Sequence, residues 1–69
     1  MQESCGARLK RLRKGKRLSQ ETLATAADLS KSHISMLESG ERDLGLLSAL
    51  AAVAIARQLE VSVDYLVTG

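Results

Sequence analysis

Between Leu18 and Gly40 the chain reads LSQETLATAADLSKSHISMLESG, and this stretch limits the possible folds more than any other. Ser19 is a helix-capping residue, and Gln20 to Ala27 is a run of good helix formers. Asp28-Leu29-Ser30 interrupts the run, because Asp and Ser compete for backbone hydrogen bonds and favour turns and caps. Ser30 then caps a second helix, Lys31 to Ser39, which Gly40 can end in a left-handed conformation. The stretch is therefore two short helices joined by a tight turn.

The rest of the chain supplies helices to pack against this pair. A first helix is predicted from about Ser4 to Lys14, with Leu9 and Leu12 on one face and cations on the other sides. Gly15 and the basic pair Lys16-Arg17 end it. The second helix buries Leu23, Ala24 and Ala27, and the third buries Ile34 and Leu37. That leaves Lys31, Ser32, Ser35 and Met36 facing outward. Glu41 to Gly45 reads as a loop. A fourth helix starts near Leu46 to Ser48 and ends near Leu59, with Ala49, Ala52, Val53, Ala56 and Leu59 as its buried stripe. Ser62 caps a last short helix, Val63 to Val67, with Asp64 in its first turn and Val63 and Leu66 inward. No strand pattern competes. The expected fold is all-α, a compact bundle of five short helices.

Composition bounds the rest. A chain of 69 residues is expected to form one domain spanning 1–69, with a small core. There is no Trp or Phe, and Tyr65 is the only aromatic residue, so Leu, Ala, Val and Ile must fill that core. No apolar run approaches the roughly 20 residues of a membrane span, and the N-terminus lacks an apolar signal core. The single cysteine, Cys5, cannot form an internal disulfide, which fits a reducing compartment. Cys5 is read as a spectator thiol near the terminus rather than a reactive group. The expected location is the cytoplasm, at the nucleoid.

The net charge of +2 hides an asymmetry. Arg8, Lys10, Arg11, Arg13, Lys14, Lys16 and Arg17 fall within ten residues. Residues 1–33 carry eight cations against three carboxylates, and the remainder carries two against five. A basic half beside an acidic half implies a polyanion-facing side. An enzyme is not expected: there is no Cys/His couple, no catalytic carboxylate pair and no Gly-rich phosphate loop. No metal or other cofactor is expected, since His33 is the only histidine and has no ligand cluster. RNA binding is disfavoured by the lack of an aromatic stacking platform.

Two helices in this order, the second opening with small polar and cationic residues, have the layout of a helix-turn-helix, about residues 19–39. Several linked pieces sharpen this. Leu12-Arg13 precedes Leu18-Ser19-Gln20-Glu21 and Leu23-Ala24, and Leu29-Ser30 precedes Ile34-Ser35 and Glu38-Ser39-Gly40. Leu59-Glu60-Val61-Ser62-Val63-Asp64-Tyr65-Leu66 closes the set. In this order the chain resembles the phage Cro/repressor type of helix-turn-helix domain, the xenobiotic-response-element or lambda-repressor-like family, over about residues 9–66. The resemblance implies a five-helix bundle in which the second helix braces the DNA backbone and the third reads bases. It also implies a structural ion pair between Arg13 and Glu38, for which the planar guanidinium fork suits a carboxylate. Three departures concern the loops. The family usually has Gly where Arg17 stands, whereas here Gly15 comes two residues earlier, so a differently built corner is expected. The family usually has Pro soon after the Glu-x-Gly that ends the third helix, and this chain has none. The segment leading to helix four is also about three residues longer than usual.

These readings imply a sequence-specific regulator of transcription, expected to be a repressor, that inserts helix 30–39 into the major groove of double-stranded DNA. The expected base readers are Lys31, Ser32, Ser35 and Met36. Lys31 can donate to guanine acceptors, serine hydroxyls suit any base edge, and Met36 offers apolar contact to a thymine methyl. The expected phosphate contacts are Arg13, Lys16, Arg17, Ser19, Gln20, His33 and Arg42, with free N–H groups at the start of helix two assisting. A homodimer on a pseudo-palindromic operator is expected, because one such domain touches few base pairs. Tyr65, Val67 and the outer face of helix four are candidates for its interface, and Tyr65 is equally readable as a core plug with a wet hydroxyl. The alternative is an antitoxin or protein-interaction module, partnered by a toxin or a larger regulator.

Overall fold

Serine starts every α-helix of this protein. In the computed structural model, which describes residues 3–69, α1 spans Cys5–Gly15, α2 Gln20–Ala26, α3 Lys31–Ser39, α4 Ala49–Leu59 and α5 Val63–Thr68. Ser4, Ser19, Ser30, Ser48 and Ser62 precede them in extended or near-extended backbone. Their side chains accept hydrogen bonds from the N–H groups of Ala7, Thr22, His33, Ala51 and Tyr65. Each cap satisfies one donor that the helix cannot, which is worth about 1 kcal/mol. A single 3₁₀ turn, Leu44–Leu46, lies between α3 and α4, and no strand occurs among the described residues.

The chain ends of these helices are set by backbone conformation. Gly40 closes α3 at φ +89°, and its N–H donates to the Met36 carbonyl. Three non-glycine residues also take positive φ: Arg17, Asp28 and Glu60. Asp tolerates that region, but Arg and Glu have no side chain suited to it, so each costs roughly 1 kcal/mol. The corner between α1 and α2 thus keeps its left-handed residue at Arg17. Gly15 is simply the last residue of α1, not a relocated turn glycine.

The core is aliphatic. Leu9, Leu23, Ile34, Leu37, Leu44, Ile55, Leu59 and Leu66 are fully buried, with Ala24, Ala27 and Ala56 filling between them. Burying each large side chain contributes about 1.5–3 kcal/mol. At one crossing α1 lies directly on α3: a Cβ at Gly6 would stand 2.5 Å from the Leu37 carbonyl oxygen.

Four expectations need correction. The buried face of α4 is Ala51, Ala52, Ile55, Ala56 and Leu59, while Ala49 and Val53 are exposed. The helix is apolar nearly all round, so its pattern does not fix which face turns inward. Leu44, placed in a loop, is a core residue, because the 3₁₀ turn capped by Asp43 turns it inward. Val63 is exposed rather than inward, and Leu66 is the one fully buried residue of α5. On α1 the cations do not all face away from the core, since Arg8 and Arg13 are buried. No helix of the described residues is long and apolar enough to cross a membrane.

Candidate nucleic-acid interface

α3 is divided lengthwise. Ile34 and Leu37 point into the core, whereas Lys31, Ser32 and Ser35 are exposed and their side chains bond to nothing among the described residues. Met36 is half-buried at the edge of the same face. Because Ser30 caps the helix and three-residue spacing anchors it, the outward groups are held on a fixed rod rather than a loop.

Behind α3 sits a compact polar cluster. Arg13 Nε and Nη2 donate to the two Glu38 carboxylate oxygens at 2.6 and 3.2 Å, and Arg13 Nη1 donates to the Leu18 carbonyl at 2.8 Å. Gln20 Nε2 donates to Glu38 Oε1 at 3.0 Å. One carboxylate therefore joins α1, the α1–α2 corner, α2 and α3. The fork geometry fixes their mutual angles as well as their separation.

The residues expected to touch phosphate are not all free to do so. Arg13 is buried in the cluster, and the Gln20 side chain is committed to Glu38. Ser19 Oγ accepts from the Thr22 N–H and donates to Thr22 Oγ1, both within the cap. Lys16 is exposed but paired with Glu60 at the α4–α5 corner. That pairing holds the Glu60 carboxyl below its ordinary value of 4.5. Arg17 is exposed and makes no side-chain bond among the described residues. His33 and Arg42 come together on one groove, which Leu29, Asp43, Leu46, Leu47 and Ser48 complete. Arg42 is positioned there by its own N–H, which donates to the Met36 carbonyl beyond the end of α3.

A second polar network joins α1, Glu3 and α5, and the sequence reading missed it. Arg8 Nη1 donates to the Leu66 carbonyl at 3.1 Å, Nη2 donates to the Glu3 carbonyl, and the guanidinium lies 5.7 Å from the Tyr65 ring centre. Arg11 grips the Glu3 carboxylate with two hydrogen bonds and donates a third to the Tyr65 hydroxyl. The Arg11 hydrogen bonds, and the charge of Arg11 and Arg8, hold the Glu3 carboxyl below 4.5. Tyr65 is accordingly not a core plug: it is 40% exposed and fixed at its tip. The available signal was the spacing Cys5, Arg8, Leu12, which sets a cation on an otherwise apolar helical stripe.

A capped, outward-facing polar helix braced by a second helix is the arrangement of a helix-turn-helix DNA-binding module. A helix-turn-helix family model matches residues 9–66, and the chain belongs to that family, of the Cro/C1 type. Among solved structures, it is similar to the P22 c2 repressor protein in complex with a synthetic operator. The TM-score is 0.87 at 26% identity, covering 99% of this chain and 98% of that one. It is also similar to the restriction-modification controller protein C.AhdI from Aeromonas hydrophila, with TM-score 0.76 at 35% identity over 90% of this chain and 89% of that one. A search among curated proteins gives no match. Family and fold are those of DNA-binding transcriptional regulators.

Proposed function

We propose that this chain is a sequence-specific repressor, acting at the nucleoid, that places α3 in the major groove of a pseudo-palindromic operator. The observation that carries the reading is the division of α3, with Ile34 and Leu37 anchored and Lys31, Ser32, Ser35 and the edge of Met36 presented outward. Lys31 donates to guanine acceptors, Ser32 and Ser35 to base edges, and Met36 packs on a thymine methyl. Arg17, His33 and Arg42 hold phosphates. Ser19 and Gln20 contribute through the unpaired N–H groups at the start of α2, since their side chains are engaged in the fold. Arg13 serves phosphate only indirectly, by fixing α1 against α3, and Lys16 reaches one only by leaving Glu60. The reading requires no catalytic step and no cofactor.

We further infer a homodimer. Half-sites one helical turn apart lie about 34 Å from each other, and the longest dimension of this molecule is 31 Å. With that dimension set along the operator, two copies come within reach of each other. Leu46 and Leu50, 85% and 86% exposed, with Val53 beside them on the outer side of α4, supply an apolar surface for that contact. Val67 is half-buried against the core and Tyr65 is held by Arg11, so the interface rests on α4.

Selection of bound sites from random duplex DNA tests the reading. A recovered pseudo-palindrome is the expected result, and Lys31→Ala with Ser35→Ala should relax its sequence while leaving the helical signal intact. Full discrimination by that double variant would overturn the assigned reading face. Recovery of no preferred site would instead favour a protein-interaction role, in which a toxin or larger regulator covers Leu46 and Leu50.

A further inference from the structure

Of the seven cations between Arg8 and Arg17, four are engaged within the fold: Arg8 and Arg11 with Glu3, Arg13 with Glu38, and Lys16 with Glu60. Lys10, Lys14 and Arg17 are exposed and have no carboxylate partner among the described residues. Lys10 and Lys14 are four residues apart on α1 and share one face, where two like charges oppose each other.

The fold fixes where that face lies. Gly6 and Arg13 touch α3, and Arg8 and Arg11 touch α5. At 3.6 residues per turn, Lys10 lies roughly 40° round the helix from Gly6 and Lys14 roughly 40° further, on the exposed arc that leads to Arg11 at about 140°. Lys10 thus borders the α3 side of α1, and Lys14 stands on its solvent face one turn before Arg17. They lead through Arg17 to the cap of α2, where the unpaired N–H groups begin. Along the axis Lys10 and Lys14 are about 6 Å apart, close to two base-pair steps of about 3.4 Å.

We propose that Lys10 and Lys14, continued by Arg17, form a phosphate-binding strip for duplex DNA flanking the base pairs that α3 reads. The proposal rests on the operator reading above and extends the footprint beyond it. Charge complementarity selects the occupant, because the strip is cationic, unpaired and continuous with the proposed operator face. It adds affinity without adding sequence preference, as backbone contacts do.

The test compares the selected operator as a minimal duplex with the same operator extended by arbitrary sequence at both ends. The wild-type chain should bind the extended duplex more tightly. Lys10→Gln with Lys14→Gln should abolish that gain and leave discrimination on the minimal duplex unchanged. With a slope of about 0.9 per phosphate, losing two contacts makes the affinity drop between 50 and 200 mM salt roughly tenfold smaller on the extended duplex. Lys10→Arg with Lys14→Arg should retain the gain. Equal wild-type affinity for the two duplexes overturns the strip while leaving the operator reading standing. An equal loss by the Gln variant on both duplexes overturns it too. If the wild-type chain discriminates no operator at all, both readings fall.

Discussion

The Glu38 carboxylate accepts three hydrogen bonds with only 4% of its side chain exposed, two from Arg13 and one from Gln20. Replacing it leaves the Arg13 charge buried and half-unpaired, and removal of one partner from such a pair costs about 3–5 kcal/mol. Glu38→Ala should therefore lower stability in urea by about 3 kcal/mol. Arg13→Met with Glu38→Leu should recover most of that loss, because a matched apolar pair leaves no orphan charge. The ion pair entered through the family resemblance, from Arg13 and Glu38 standing at familiar places. Arg8 was less legible: its carbonyl acceptor on Leu66 is contributed by the far end of the chain, and no local spacing reveals that. The exposed pairs behave differently. Glu3, bonded by Arg11, and Glu60, bonded by Lys16, have carboxyl groups held below 4.5. A depressed carboxylate stabilises the fold above its unfolded value and loses that contribution as pH falls through its folded value. The urea midpoint should thus hold steady from pH 7 to about 5 and decline below 4.5. Glu60→Gln should make the decline shallower.

At the scale of elements, α1 lies directly on α3 at Gly6. A methyl group at Gly6 would lie 2.5 Å from one carbonyl oxygen and 2.8 Å from the next, both backbone and unable to yield alone. Gly6→Ala should destabilise by about 1–3 kcal/mol, despite the better helix propensity of Ala, because the overlap outweighs it. Thermal unfolding would show it, and a rise in melting temperature would contradict the packing. This contact explains part of what the sequence conveyed. α2 and α3 were readable because serine caps and sparse, well-spaced Leu, Ile and Ala leave a single inward face. α4 was not, because AlaLeuAlaAlaValAlaIleAla offers apolar residues in every direction. Its rotation is decided by the 3₁₀ turn before it, which buries Leu44 and leaves Leu46 and Leu50 outside. At the α1–α2 corner the left-handed residue is Arg17 itself, at φ 58°, although no glycine stands there.

The whole molecule is small, 31 × 23 × 21 Å. Leu46 and Leu50, 85% and 86% exposed, are the most exposed large apolar residues. A self-complementary contact through those leucines belongs to a two-fold dimer. Leu50→Lys should weaken self-association at least tenfold by sedimentation, and should change monomer stability by no more than about 0.5 kcal/mol because the side chain is outside the core. An unaltered association constant would remove the proposed interface. The basic and acidic halves read from the sequence survive in the fold only in part, because Arg8, Arg11, Arg13 and Lys16 are spent on internal partners. Which cations remain for a polyanion depends on long-range pairing, and the chain order does not contain that.

Tyr65 is the sole aromatic side chain, and it stands where Arg8 and Arg11 tie the start of the chain to α5. Any intrinsic ultraviolet emission from this protein therefore reports on that junction and nowhere else. Loosening of α5 would register optically while α3 kept its shape, and a disturbance confined to α3 would pass unseen. Fluorescence and far-ultraviolet dichroism followed side by side would reveal whether the junction lets go before the rest.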